Sequence, residues 1–122
     1  MADQVTNISG KKGTTAGDRR ISAAVSAPTN APSGSSAGYL TNRSRFMHLL
    51  FDAKGTNPAF LVQIWWWSDI SDIWHKGEVV TVNGPDIITL ETQGLLRVAI
   101  QVVQVAGTNP TMDAWLALVK ET

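Results

Sequence analysis

The residues best equipped for chemistry in this chain lie in one stretch, Ile64-Trp65-Trp66-Trp67-Ser68-Asp69-Ile70-Ser71-Asp72-Ile73-Trp74-His75-Lys76, which holds four of the five tryptophans. Asp69, Asp72 and His75 are all potential metal ligands. Two carboxylates interrupted by Ile70 and Ile73 offer too few oxygens from one loop for a calcium site, so the expectation is a solvated loop capped by Asp69 or Ser71. No metal or other cofactor is assigned. The indoles offer a second chemistry, stacking against sugar rings, with Gln63, Asp69 and Asp72 as flanking hydrogen-bonding groups. Side chains of an extended strand alternate, so Phe60, Val62, Ile64 and Trp66 share the core face while Leu61, Gln63, Trp65 and Trp67 share the other. Exposed indoles are costly, and something must cover them. The candidates are the N-terminal segment or a neighbouring loop, a subunit interface, where tryptophan is enriched, or a sugar. Leu61, Trp65, Trp67 and Trp74 form the candidate interface.

Catalytic groups are sparse. His48 and His75 are the only histidines, cysteine is absent, and there is no G-x-S-x-G elbow, P-loop or H-E-x-x-H. His48 shares its face with Phe46 and Leu50, which favours a hydrogen-bonded core or interface histidine over a general base. A non-enzyme is expected.

Charge is divided along the chain although it sums to zero. Up to residue 45 six basic residues face two acidic ones, giving +4, and the remainder carries −4. Lys11, Lys12, Arg19, Arg20, Tyr39 and Arg43 mark the first segment as a partner-binding arm. Its cations are dilute and its aromatics few for a nucleic-acid surface, and an acidic protein surface is an equally good counterpart. The neighbouring copy's acidic body is one such surface, and arm exchange between subunits would follow.

These residues must be positioned by one small domain, since 122 residues provide for a single core. No disulfide can brace it. Without an apolar leader or a run of about 20 apolar residues, a soluble protein made in the cytoplasm is expected. Residues 1–44 are rich in Ser, Ala, Gly, Thr and Asn, with Pro28, Pro32 and a Ser/Gly run at 33–38, and have too little apolar surface to fold alone. From residue 45 the pattern becomes β, with short apolar runs at about 45–53, 59–68, 73–82, 86–92, 95–106 and 110–120. Leu96, Val98, Ile100 and Val102 form one inward set, and Met112, Ala114, Leu116 and Leu118 another. The fold predicted is all-β: a small antiparallel β-sandwich of jelly-roll type at 45–122, preceded by an extended arm at 1–44.

The tetrapeptide Gly-Thr-Asn-Pro occurs at 55–58 and again at 107–110. At this offset of 52, Arg45 superposes on Arg97, Phe46 on Val98, Leu50 on Val102, Phe60 on Met112 and Ile64 on Leu116, so apolar phase is kept. Both copies read as hairpin connections, joining 45–53 to 59–68 and 95–106 to 110–120.

The layout of arm and cysteine-free sandwich resembles the small β-sandwich virion proteins of tailed bacteriophages, the capsid decoration or cement type above all. The segments carrying the resemblance are Phe60-Leu61-Val62-Gln63-Ile64-Trp65-Trp66, Trp74-His75-Lys76-Gly77-Glu78-Val79-Val80, Arg97-Val98-Ala99-Ile100-Gln101-Val102-Val103 and Met112-Asp113-Ala114-Trp115-Leu116-Ala117-Leu118. The resemblance implies a virion protein made in the host cytoplasm that binds the major capsid protein or other virion proteins. It also implies a homo-oligomer, a trimer by preference, with no membrane or nucleic-acid partner. Two alternatives stand beside it: a carbohydrate-binding module or host-surface adhesin using the tryptophans, and a neck, head-to-tail connector or tail component.

Overall fold

The computed structural model describes residues 19–41 and 44–118. All regular structure among them is β: β1 (Arg19–Val25), β2 (Tyr39–Leu40), β3 (Phe46–Ser68), β4 (Ile73–Val82), β5 (Pro85–Glu91) and β6 (Arg97–Leu118). They form one antiparallel sheet of order β1-β6-β3-β4, with β2 also on β6 and β5 also on β3. Strands β3 and β6 run for 23 and 22 residues, far beyond the usual five or six or so. The β-branched and aromatic runs 46–53, 59–68 and 97–106 supply the strand propensity, and the apolar alternation supplies one buried face.

That face identifies the architecture. Met47, Leu49, Phe60, Val62, Ile64, Met112, Ala114 and Leu116 are all fully buried in one cluster, yet no helix among the described residues covers the sheet. A single flat sheet cannot bury a face to this extent. The covering layer is the other half of the same sheet, folded over on itself. The first layer contains β5, residues 46–54 of β3, residues 111–118 of β6, and β1; the second contains β4, residues 59–68 of β3, residues 97–106 of β6, and β2.

The Gly-Thr-Asn-Pro repeats form the crease, which corrects their reading as hairpin turns. Residues 46–54 and 59–68 do not pair with each other; they are consecutive parts of β3, and 97–106 and 111–118 are likewise parts of β6. Each repeat bends a continuous strand. Gly55 and Gly107 have φ of 124° and 111°, and Asn57 and Asn109 both have φ of 51°. Asparagine tolerates this left-handed region better than other side chains, and the following proline loses no ladder bond at a bend. The two bends pack backbone against backbone: a Cβ on Gly55 would lie 2.8 Å from the Asn109 carbonyl oxygen, and one on Gly107 would lie 2.6 Å from that of Asn57. Only glycine permits that approach.

The crease has local twofold symmetry. Thr56 pairs with Thr108, and the flanking pairs Lys54 with Thr111 and Ala59 with Ala106 exchange under the 52-residue offset, as do Ala53 with Met112 and Phe60 with Val105. A register shift after Leu61 ends the relation. The outer strand joins the same fold line, because β4 and β5 together run antiparallel along β3 and are interrupted only at Asn83 and Gly84. There Gly84 accepts a hydrogen bond from the Ala53 N–H at 3.1 Å. Inward positions in β3 are odd before the bend (47, 49, 51, 53) and even after it (60, 62, 64, 66), so the first repeat also shifts the side-chain phase by one residue.

Candidate docking surface

Residues 19–41, read from composition as part of the arm, lie on the sheet as a fourth strip along β6. Arg19–Val25 pairs with residues 112–116, Thr29 exchanges bonds with Val102, and Tyr39–Leu40 pairs with Arg97 and Val98. Few apolar side chains hold this strap. Ile21, Val25 and Tyr39 are partly buried against the core, and Thr41 is fully buried, its hydroxyl donating to the Leu95 carbonyl at 2.6 Å. The remaining attachments are polar.

The strongest attachment is at Asp113. Its carboxylate accepts from Arg20 Nη2 at 2.6 Å and from the Ala24 N–H at 2.7 Å. Partial burial would raise its pKa, but those two hydrogen bonds and the nearby charges of Arg20 and Lys54 outweigh it and hold the carboxyl below the ordinary aspartate value. The Arg20 guanidinium also sits 5.8 Å from the centre of the Trp115 ring.

The strap covers the tryptophan face of the second layer. Trp67 points away from the core yet is only 7% exposed. It meets Trp74 edge to face with ring centres 5.6 Å apart, and Trp74 Nε1 donates to the Gly34 carbonyl at 2.9 Å. Arg97, opposite Trp67, donates to the carbonyl of Ala37 at 3.0 Å. Gly38 allows this cover to lie close: a Cβ there would sit 2.6 Å from the Val98 oxygen and 2.7 Å from the Trp74 ring. Trp65 is half-buried, with Nε1 donating to Gln101 Oε1 at 2.9 Å and Lys76 over its ring. Of the three expected covers for Trp67 and Trp74, the protein's own N-terminal segment is the one found.

Gln63 is buried on this same face and acts as a plug. Its amide nitrogen donates to the carbonyls of Ile64, Gly77 and Glu78 at 2.9, 3.0 and 3.1 Å, at the bulge where the β3–β4 register slips. Leu61 is half-buried beside a cavity of about 250 Å³ lined by Ala59, Thr81, Gln104 and Ala106.

The metal-ligand types do not converge. His75 Nε2 lies 2.8 Å from Ser71 Oγ, and the turn is capped by Ser68, whose hydroxyl accepts from the N–H of Ile70 and of Ser71, rather than by Asp69 or Ser71. Among the described residues no group of three or more His, Cys, Asp and Glu side chains is arranged to hold a metal ion. His48 is half-buried, with Nδ1 2.9 Å from Thr89 Oγ1. No helix among the described residues is long and apolar enough to cross a membrane.

Among the described residues, no strand packs over the outer face of the first layer. Ile87, Leu50, Trp115 and Arg20 are successive cross-strand partners and form one row across β5, β3, β6 and β1. Ile87 is 60% exposed, and Leu50 and Trp115 are half-buried. Sequence reading missed this row. Trp115 was the one tryptophan outside the dense cluster, and its strand neighbours become visible only once β3 is known to pair with β5 and β6 at once. Of the predicted arm residues, Arg20 and Tyr39 are placed on the sheet and Arg19 lies within β1, whereas Lys11, Lys12 and Arg43 lie outside the described residues. No protein-family model, curated protein or solved structure matches the chain.

Proposed function

We propose that this is a non-enzymatic structural protein that docks onto a protein lattice, of the kind formed by a tailed-phage capsid, and stabilises it as a decoration or cement protein. The observation carrying the proposal is the row Ile87–Leu50–Trp115–Arg20: an apolar line that no described strand covers, ending at Arg20 in β1. Apolar contact at a fixed surface supplies affinity, and the adjoining segment with Lys11 and Lys12 adds reach to a second site. A rigid creased body suits the anchoring part, because its layers share two continuous strands. The capsid assignment itself comes from the resemblance in layout.

The carbohydrate-binding alternative is weaker, because Trp67 is covered and the indole N–H groups of Trp65 and Trp74 are already engaged. The test is co-sedimentation with capsid particles from the phage that carries the sequence. The full chain should enter the particle fraction, and Leu50→Asp with Trp115→Ala should abolish this without unfolding the protein. Absence of the full chain from that fraction, or unchanged sedimentation of the variant, would overturn the proposal.

A further inference from the structure

The outer edge of the sheet is interrupted at Asn83 and Gly84, where β4 gives way to β5 at the fold line. This is the only Asn-Gly pair in the chain. Asn57 and Asn109 precede proline, whose nitrogen carries no hydrogen, while Asn7, Asn30 and Asn42 precede Ile, Ala and Arg, whose side chains crowd the peptide nitrogen. Asn83 is the one asparagine followed by a residue without a side chain.

The fold leaves the reacting groups of this pair open while pinning the backbone around them. Asp86 Oδ2 accepts from the Asn83 N–H at 3.1 Å, and the Gly84 carbonyl accepts from the Ala53 N–H at 3.1 Å. Between these two anchors, no acceptor among the described residues takes the Gly84 N–H. Asn83 is exposed and outside any strand, and its amide nitrogen makes a long hydrogen bond, 3.4 Å, to the Pro58 carbonyl of the first repeat. A Cβ built on Gly84 would meet nothing within 4 Å, so a ring closing across this peptide has room.

We propose that Asn83 is a site of spontaneous deamidation, and that its conversion loosens the outer strand where it crosses the crease. The Gly84 nitrogen, its proton lost to solvent, attacks Asn83 Cγ. The new C–N bond closes a succinimide ring, the Cγ–Nδ2 bond breaks, and the amide nitrogen leaves as ammonia after taking up a proton from solvent. Water then opens the ring. Addition at Cγ gives aspartate, and addition at the main-chain carbonyl carbon gives isoaspartate, so the sum is water consumed and ammonia released. Either product replaces the donor to Pro58 with a carboxylate, on a turn that already carries Asp86. Isoaspartate also adds a methylene to the main chain between β4 and β5, and because both strands pair with β3, the added length displaces the Gly84 carbonyl from the Ala53 N–H.

The experiment holds the full chain at neutral and at mildly alkaline pH and reads isoaspartate by enzymatic methyl transfer to its carboxylate, followed by peptide mapping. Label should accumulate at position 83 ahead of every other asparagine and faster at the higher pH, since the attacking nitrogen must lose its proton. Gly84→Ala should reduce it to the level at Asn30, an exposed asparagine before alanine. That variant keeps the fold, because the space around Gly84 is open and its backbone lies outside the left-handed region, and circular dichroism checks this. The converted form, separated by anion exchange, should show faster amide exchange at Ala53. Label appearing at Asn30 as fast as at Asn83, or undiminished in Gly84→Ala, overturns the site. Unchanged exchange at Ala53 in the converted form overturns the loosening.

Discussion

Thr56 and Thr108 face each other across β3 and β6, at the point where two copies of the same tetrapeptide cross back to back. Gly55 and Gly107 hold equivalent places around this pair, each pressed against the other bend's carbonyls. Gly55→Ala and Gly107→Ala should therefore lower stability by similar amounts, about 1–3 kcal/mol each, because both force a side chain into a left-handed backbone with no free space. Urea unfolding of the two variants measures it. A large asymmetry between them would count against the symmetric crease.

Asp113 makes attachment of the first strand pH-dependent. Its carboxyl is held below the ordinary aspartate value in the folded protein, so the stabilisation is fully present above that ordinary value and is lost as pH falls through the lowered one. Residues 19–25 should keep slow amide hydrogen exchange at neutral pH and lose it from about pH 4 downward. Asp113→Asn should lose that protection at every pH and abolish the acid transition.

Gln63 donates to two β4 carbonyls, those of Gly77 and Glu78, where the β3–β4 register slips. Gln63→Leu keeps the volume but removes both of these hydrogen bonds, at a cost of about 1–3 kcal/mol. Denaturant titration gives the loss, and exchange at residues 76–79 should rise with it.

Removing residues 1–38 uncovers Trp67 and deprives Trp74 of its acceptor at Gly34. Tryptophan emission should shift to longer wavelength, with acrylamide quenching increased. Unchanged quenching would mean that the strap is not what buries Trp67.

Much of the architecture is legible in the sequence because alternation reports burial directly. The faces Phe60–Val62–Ile64–Trp66 and Met112–Ala114–Leu116–Leu118 read from period two are buried faces of the structure, and the all-β antiparallel class follows. What alternation cannot distinguish is a bend from a turn. Gly, Thr, Asn and Pro satisfy both, since positive φ and a missing N–H serve either, and the choice depends on whether another strand crosses at the same point. The strap was hidden for a related reason. Residues 19–41 have few apolar side chains to announce burial, and they are held by backbone pairing and by side chains of Asp113, Trp74 and Arg97 that lie more than 35 residues away in sequence.

The continuity of β3 and β6 has a mechanical meaning. In a sandwich whose layers are joined by turns, a force pulling the layers apart is resisted chiefly by side-chain packing and by flexible connections. Here both central strands pass from one layer into the other, so tension across the body runs along two covalent backbones side by side, clamped where they cross. The layers cannot be peeled apart without straightening both bends together.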